Sequence, residues 1–319
     1  MDVERSIENI HLSENQFLSI VQKAFPECGR VDSYKLLSGG ALNTTYKFQI
    51  KDQSFVLRLY VRDRALCKME KEIHALIDGK VSTPKLIYLE ENHPFFPYAI
   101  FQFIEGSHIS EVPWECKNSL SYDLGKLLAS IHAFTFPIAG LFGEGISIGK
   151  PFKVGSSPYF EEAFSLLSKE GFARARLGDK LSEQMLEFMQ RNKDFFPKVE
   201  GNICLTHSDF KPVNLLYSLG KSFVLDWEFA HAGMGLLDFA ILLRHKEQFP
   251  LDLGYLVNGY TDFGGKLPDE WLRSSLITDF INIVSMLDAP PERPKLFHQL
   301  KSAAQSTIDH WDFFTYPTF

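Results

Sequence analysis

The sequence has 319 residues, of which 45% are hydrophobic and 23% are charged. A chain of this length is too long for one minimal core and suits two domains packed together. The formal net charge is -7, so a phosphate-covered polymer is not the expected main partner. We therefore expect no nucleic-acid binding.

Cysteine spacing and hydropathy exclude other classes of protein. The four cysteines are far apart and form no CxxC pair, which argues against zinc or a disulfide framework and favours reduced thiols. The acidic start, residues 1–12, lacks the apolar run of a signal peptide. No segment reaches the roughly 18 uninterrupted apolar residues that would indicate a membrane span. We expect a cytoplasmic protein with no membrane partner.

The first third of the chain reads as a small sheet with helices. Ser13 and Gln16 have the spacing of a capping box, which predicts a short helix with Phe17, Ile20, Val21 and Phe25 on one face. Segments rich in β-branched and aromatic residues, separated by turn signals, then predict strands. The predicted strands are 33–37, 45–50, 54–60, 85–90 and 98–103, with a helix over 63–77 before the last two.

The rest of the chain is mostly helical in pattern. Glu105-Gly106-Ser107 breaks the strand pattern, so we predict two domains, residues 1–104 and 105–319. Residues 140–156 are rich in Gly and Pro and are predicted to form a mobile loop. Predicted helices are 120–134, 159–167, 180–192, 236–245, 251–260, 270–287 and 295–313. The predicted class is α+β: a five-stranded antiparallel sheet with a helix, then a larger, mostly helical lobe.

The strongest functional signal is the segment HSDFKPVN, from His207 to Asn214, followed by an apolar strand that ends at Asp226. Phosphoryl transfer needs a carboxylate near the attacking hydroxyl and hard oxygen ligands for magnesium. Asp209, Asn214 and Asp226 supply these groups. A single Asp or Asn in a loop usually makes a turn. The joint HxDxxxxN spacing with the following strand is instead typical of kinase catalytic loops.

On these motifs the sequence resembles the aminoglycoside phosphotransferase and choline kinase-like family, which has a two-lobed protein-kinase-like fold and phosphorylates small molecules. The resemblance runs from about residue 33 to beyond residue 245. It implies that Asp209 is the catalytic carboxylate and that Asn214 and Asp226 bind Mg²⁺. It also implies structural roles for His207, which shapes the loop, and for Asp238, which anchors it.

Lys211 lies two residues after Asp209, a position similar to the lysine that contacts the γ-phosphate in the catalytic loop of protein kinases. A surface lysine is the alternative, and the sequence leaves both open. The same family places a nucleotide-covering loop where residues 38–43 lie. The residues implied there are Ser38, Gly39, Gly40, Ala41 and Asn43. Glycines let backbone amides approach phosphates, although Gly-Gly is also an ordinary hairpin turn.

Further nucleotide contacts are implied on the third strand and after the fifth. Arg58 stands where protein kinases have the lysine that holds the α- and β-phosphates, and its planar guanidinium suits phosphate. Glu72 on the next helix is its expected acidic partner, with Glu70 as the alternative. Gln102 and Ile104 lie in the linker whose backbone is expected to contact the purine.

The resemblance therefore implies a phosphotransferase that uses Mg²⁺, ATP or GTP as co-substrate, and a small-molecule hydroxyl acceptor. A protein kinase would show GxGxxG, DFG and APE, whereas this chain has Asp226-Trp227-Glu228 and no APE-like segment. Two alternatives stay open: an inactive nucleotide-binding pseudokinase module and a choline- or ethanolamine-type metabolic kinase. An antibiotic such as an aminoglycoside, methylthioribose and homoserine are other candidate acceptors. The sequence does not distinguish a monomer from a homodimer.

Overall fold

The computed structural model of the protein describes residues 7–28, 30–37, 42–61, 63–153, 157–198, 203–290 and 292–312. The chain divides into two compact units, Met1–Gly106 (unit 1) and Ser107–Phe319 (unit 2). Within the described ranges, no helix has the length and apolar character needed to cross a membrane.

Unit 1 is a five-stranded antiparallel sheet with one helix packed on each face. The sheet has the order β1-β2-β3-β5-β4. Its strands are β1 (Ser33–Leu36), β2 (Thr44–Ile50), β3 (Gln53–Leu59), β4 (Leu86–Glu90) and β5 (Tyr98–Gln102). The helices are α1 (Glu14–Ala24) and α2 (Arg64–Ile77).

Helix α1 begins at the predicted capping box. The Ser13 backbone N–H donates to Gln16 Oε1 at 2.9 Å, and the Gln16 N–H donates to Ser13 Oγ at 3.4 Å. These bonds satisfy donors that the first turn of a helix leaves without partners. Phe17, Ile20 and Val21 are buried against the sheet, and Phe25, which is the C-cap residue, is partly buried against the same core. The predicted helix and its apolar face are confirmed.

The alternation of side chains along β3 decides what each helix contacts. Phe55, Leu57 and Leu59 belong to the core that contains α1. The next residue on the opposite face, Tyr60, belongs to a second core with Cys67 of α2. Because successive side chains of a strand point to opposite faces, Arg58 lies on the α2 face.

Unit 2 contains eight α-helices in its described ranges, together with short strands. The helices are α3 (Lys117–His132), α4 (Pro158–Ser168), α5 (Phe172–Leu177), α6 (Asp179–Arg191), α7 (Leu236–Arg244), α8 (Leu253–Asp262), α9 (Trp271–Asp288) and α10 (Pro294–Asp309). Helix α9 runs through the largest apolar core, where it packs with α4, α5, α6, α7 and α10. This core supports the elements that carry the catalytic-loop motif.

Seven short strands of unit 2 form two antiparallel sheets. The strands are β6 (Ser107–His108), β7 (Gly140–Phe142), β8 (Ile148–Pro151), β9 (Cys204–Thr206), β10 (Leu215–Ser218), β11 (Lys221–Val224) and β12 (His231–Gly233). The sheet orders are β11-β10-β6 and β8-β7-β12-β9. The HSDFKPVN segment connects β9 of one sheet to β10 of the other.

The predicted α+β class with a five-stranded antiparallel sheet is confirmed, and most predicted elements differ from the observed ones by a few residues at their ends. The mobile loop predicted over 140–156 is wrong for residues 140–151, where β7 and β8 form a hairpin. A Cβ on Gly140 would lie 2.5 Å from the Lys150 carbonyl oxygen. This glycine therefore allows close strand packing, not mobility. Residues 154–156 lie outside the described ranges.

Candidate active site

The segment between β9 and β10 is held by the carboxylate of Asp238, a fully buried residue in the first turn of α7. Asp238 Oδ2 accepts from the His207 backbone N–H at 2.8 Å, and Oδ1 accepts from the Ser208 N–H at 2.7 Å. Two bonds from one carboxylate fix two successive peptide groups. The start of the loop therefore has a defined position relative to α7.

Two more helices are connected to Asp238, one directly and one through His132. His132 Nε2 of α3 lies 3.2 Å from Asp238 Oδ2, and His132 Nδ1 lies 3.0 Å from the Tyr260 hydroxyl of α8. Burial by itself would raise the pKa of Asp238. The hydrogen bond and charge of His132, with the hydrogen bond from the His207 backbone N–H, outweigh burial and hold this pKa below its usual value. The anchor is thus an ionised carboxylate in a hydrogen-bonded setting.

His207 connects the loop to the segment that follows β11. Its Nε2 lies 2.9 Å from the Leu225 carbonyl oxygen, which can only accept, so Nε2 carries a hydrogen. Its Nδ1 accepts from the Asp209 backbone N–H at 3.2 Å. The two partners together require the neutral ring. The ring also packs edge-on against the buried Trp227, with centroids 4.8 Å apart.

The carboxylate of Asp209 is held by two side chains. Asn214 Nδ2 donates to Asp209 Oδ2 at 2.7 Å and to the Asp209 carbonyl at 3.0 Å. Lys211 Nζ lies 2.7 Å from Asp209 Oδ1. Because the carbonyl can only accept, the amide orientation of Asn214 is settled, and Oδ1 is the atom of Asn214 that can bind a cation.

The β10–β11 hairpin brings Asp226 back to this loop. The Leu225 N–H donates to the Asn214 carbonyl at 2.9 Å, and Asp226 is the next residue. Asp226 has a backbone φ of 68° and Ser208 a φ of 64°, values that are uncommon for residues other than glycine. Ser208 is held there by Asp238 and by its hydroxyl, which lies 2.8 Å from His231 Nδ1. Strained residues of this kind cluster at functional sites.

The donor set fits magnesium. Asn214 Oδ1 and the Asp226 carboxylate are hard oxygen donors, and protein sites for Mg²⁺ use one or two carboxylates with substrate phosphates and water. Asn214 and Asp226 therefore suit a metal that takes its other ligands from substrate and water. Across the described ranges, no group of three or more His, Cys, Asp or Glu side chains could hold a metal.

In unit 1, Arg58 Nη1 lies 2.9 Å from Glu70 Oε1, and both side chains are largely buried. The prediction that Glu72 is the partner of Arg58 is therefore wrong, and the alternative, Glu70, forms the pair. The reason is helical spacing: α2 buries Cys67, Glu70, Ile73, His74 and Ile77, at intervals of three and four residues. Glu72 lies two residues from Glu70 and is only half-buried.

A family model described as the phosphotransferase enzyme family, APH, matches residues 33–272. The chain belongs to this family. The resemblance to the aminoglycoside phosphotransferase family that the motifs indicated is confirmed. A sequence search among curated proteins found no match.

Solved structures of other phosphotransferases have the same fold. A thermostable mutant of aminoglycoside phosphotransferase APH(4)-Ia, in a ternary complex with ADP and hygromycin B, is 16% identical with a TM-score of 0.65, over 94% of this chain and 100% of that one. ADP-bound APH(2'')-Ib is 16% identical, TM-score 0.62, over 93% and 99%. The streptomycin–ATP–APH(2'')-IIa complex is 18% identical, TM-score 0.61, over 94% and 99%.

The remaining predicted nucleotide residues of this phosphotransferase are in unit 1. Asn43 is buried directly before β2, whereas Ser38, Gly39, Gly40 and Ala41 lie outside the described ranges. Gln102 ends β5, and its N–H donates to the Lys85 carbonyl at 2.9 Å. Ile104 follows and is half-buried. Nucleotide contacts by these residues stay predictions.

Sequence reasoning missed three groups that support predicted site residues: Tyr60, which contacts Glu70, and His132 and Tyr260, which are connected to Asp238. His132 follows Leu128 by four residues on the buried stripe of α3, so a titratable residue on an apolar face was the available signal. Tyr60 directly follows β3 and is two residues from Arg58, a spacing that places both side chains on one face of the sheet. Tyr260 carried no comparable signal, because its partner is 128 residues away.

Proposed function

We propose that this phosphotransferase is a magnesium-dependent kinase that transfers the γ-phosphoryl group of ATP to a hydroxyl of a small molecule. The observation that carries the proposal is the arrangement around Asp209: a carboxylate fixed by Asn214 and Lys211 beside the hard oxygen donors of Asn214 and Asp226. Phosphoryl transfer depends mainly on positioning and on compensating phosphate charge, and these residues supply both.

In the proposed reaction the acceptor hydroxyl hydrogen-bonds to the Asp209 carboxylate. Its oxygen attacks the γ-phosphorus in line, a new P–O bond forms, and the bond to the β–γ bridging oxygen breaks. The electron pair of that bond leaves with ADP, and the hydroxyl proton passes to Asp209. No covalent enzyme intermediate is required. The fixed carboxylate removes the need to order the base during the reaction.

Charge compensation is assigned to three groups. Bound Mg²⁺ would be held by Asn214 and Asp226 and would neutralise charge on the outer phosphates. Lys211, whose ammonium already lies beside Asp209, is placed to contact the transferred phosphoryl group. Arg58 of unit 1, paired with Glu70, is assigned to the inner phosphates.

The comparisons support the choice of ATP and of a small-molecule acceptor. The similar structures contain ADP with hygromycin B, ADP alone, or ATP with streptomycin. We infer that this protein uses ATP and that its acceptor is a small hydroxyl compound of the antibiotic or metabolite type. A cationic acceptor would suit the net charge of -7.

The test is ATP and GTP consumption with Mg²⁺ against aminoglycosides, choline, ethanolamine, homoserine and methylthioribose. Asp209→Asn is the blank. We expect acceptor-dependent ADP formation from ATP that the blank lacks. Metal-dependent ATP binding with no turnover for any acceptor would instead favour the pseudokinase alternative. Absence of nucleotide binding would overturn the proposal.

A further inference from the structure

The α2 face of β3 carries two side chains that meet the same carboxylate. Arg58 and Tyr60 are two residues apart, so their side chains project from one face of the sheet. Arg58 Nη1 lies 2.9 Å from Glu70 Oε1. The Tyr60 hydroxyl donates to the other oxygen of the same group, Glu70 Oε2, through a short hydrogen bond. Each oxygen of Glu70 thus has a partner from the strand.

We propose that Tyr60 is a positioning residue for nucleotide phosphates: its hydroxyl orients Glu70, and Glu70 in turn orients Arg58. This inference rests on the proposed function, which assigns Arg58 to the inner phosphates. In this proposal Tyr60 acts on the nucleotide through Glu70 and Arg58. It fixes the angle of the carboxylate plane, and this angle decides where the guanidinium of Arg58 lies.

The position of the Tyr60 hydroxyl is itself fixed by the sheet. The side chain is 1% exposed, and the backbone N–H donates to the Pro97 carbonyl at 3.0 Å. The Arg58 guanidinium carbon lies 5.6 Å from the centroid of the Tyr60 ring, within range of a cation–π contact. The Tyr60 ring therefore contacts the Arg58 guanidinium directly, whereas the Tyr60 hydroxyl acts on it through Glu70.

The hydroxyl stays a donor across the physiological range. Burial, followed by the charge of Glu70, raises the pKa of Tyr60 well above its usual value. Without this donor, Glu70 Oε2 would stay buried with one hydrogen bond fewer. A buried carboxylate that has lost a hydrogen bond rotates toward another donor, and this rotation weakens its hold on Arg58.

The experiment compares binding of ADP and of adenosine to the wild type and to Tyr60→Phe by calorimetric titration. Tyr60→Phe removes one oxygen and keeps the ring. We expect about tenfold weaker ADP binding, equivalent to about 1.4 kcal/mol, a size typical of one hydrogen bond to a charged group. Adenosine affinity should stay unchanged, because adenosine has no phosphate for Arg58 to hold.

Tyr98→Phe is the matched control. Tyr98 is also 1% exposed and lies in the same sheet, but it belongs to the core on the α1 face. This variant should bind ADP like the wild type. In an Arg58→Ala background, Tyr60→Phe should cause no further loss of ADP affinity, because both changes act through the same guanidinium.

Two results would overturn the inference while leaving the proposed function intact: unchanged ADP affinity in Tyr60→Phe, or equal losses for ADP and adenosine. The second result would mean that the hydroxyl only supports the fold of unit 1. If the wild type binds no ADP at all, the proposed function fails, and this inference fails with it.

Discussion

At the scale of single residues, the candidate site residues of each unit include carboxylates whose two oxygens have different partners. Asp209 is held by Asn214 and Lys211, Asp238 by two backbone N–H groups and His132, and Glu70 by Arg58 with the Tyr60 hydroxyl. A buried carboxylate is costly unless it is paired and hydrogen-bonded. Hydrogen bonds and ion pairs to both oxygens offset this cost and also fix the orientation of each carboxylate.

Asp226→Ala should remove the gain in ATP affinity that Mg²⁺ provides. The substitution deletes the one carboxylate in the proposed magnesium pair and leaves only the neutral Asn214 oxygen. We expect ATP binding in the presence of Mg²⁺ to weaken at least about tenfold. Titrations with Mg²⁺ and with EDTA measure this. The exposed Asp194→Ala is the control, and an intact magnesium effect in Asp226→Ala would exclude Asp226 as a ligand.

The buried pair of Arg244 and Asp279 predicts a pH dependence of stability. Burial raises the pKa of Asp279 to about 6, although Arg244 lies 2.7 Å away and opposes the shift. The unfolded value is about 3.9. Between these values the folded state binds more protons than the unfolded state, so the free energy of unfolding should fall as pH rises from about 4 to 6.

Asp279→Asn cannot titrate at this position and should lose that part of the pH dependence. Urea unfolding at several pH values between about 4 and 7 measures the slope for both proteins. The exposed Asp194→Asn should keep the wild-type slope. Equal slopes for the wild type and Asp279→Asn would show that the pKa of Asp279 does not change on folding, which would contradict the prediction.

At the scale of elements, three helices of unit 2 fix the start of the HSDFKPVN segment. Helix α7 supplies Asp238, α3 supplies His132 and α8 supplies Tyr260. The crossing of α3 and α8 is unusually close. A Cβ on Gly125 would lie 2.0 Å from the Leu256 carbonyl oxygen, and a Cβ on Gly259 would lie 1.9 Å from that of Tyr122. Close approach of these helices brings Tyr260 within hydrogen-bond distance of His132.

Gly125→Ala should therefore destabilise unit 2. The added methyl group would meet backbone atoms, which cannot move aside as a flexible side chain can. We expect a loss of about 1–3 kcal/mol in the free energy of unfolding, the usual cost of overpacking. Denaturant unfolding measures it. At Gly171 a Cβ would meet only Asp288 Oδ1, at 3.4 Å, so Gly171→Ala is the control. Equal stability of the two variants would contradict this reading of the crossing.

At the scale of the whole molecule, local patterns predicted the elements well and their partners less well. Alternation and turn signals located the five strands of unit 1, and the HxDxxxxN spacing singled out Asp209 and Asn214 before any geometry was known. The choice between Glu70 and Glu72 failed, because it depends on which side of α2 faces the sheet. Strands β10 and β12 are too short for periodicity to detect.

Contacts between distant segments are the part that sequence patterns do not contain. The bond from Asp238 to the loop spans 31 residues, and the bond from His132 to Tyr260 spans 128. Such pairs form only when the helices that carry them pack. Local sequence patterns describe one element at a time, so they single out Asp209 but not the groups that fix its loop.

The most direct test of the proposed role of Asp209 is to measure both turnover and ATP affinity of Asp209→Asn. Asp194→Asn is the control. If Asp209 orients the acceptor hydroxyl and takes its proton, turnover should fall by roughly 10²–10⁴-fold while Mg²⁺–ATP affinity stays within about threefold of the wild type. Wild-type turnover in Asp209→Asn would contradict the account, because phosphoryl transfer would then proceed without this carboxylate.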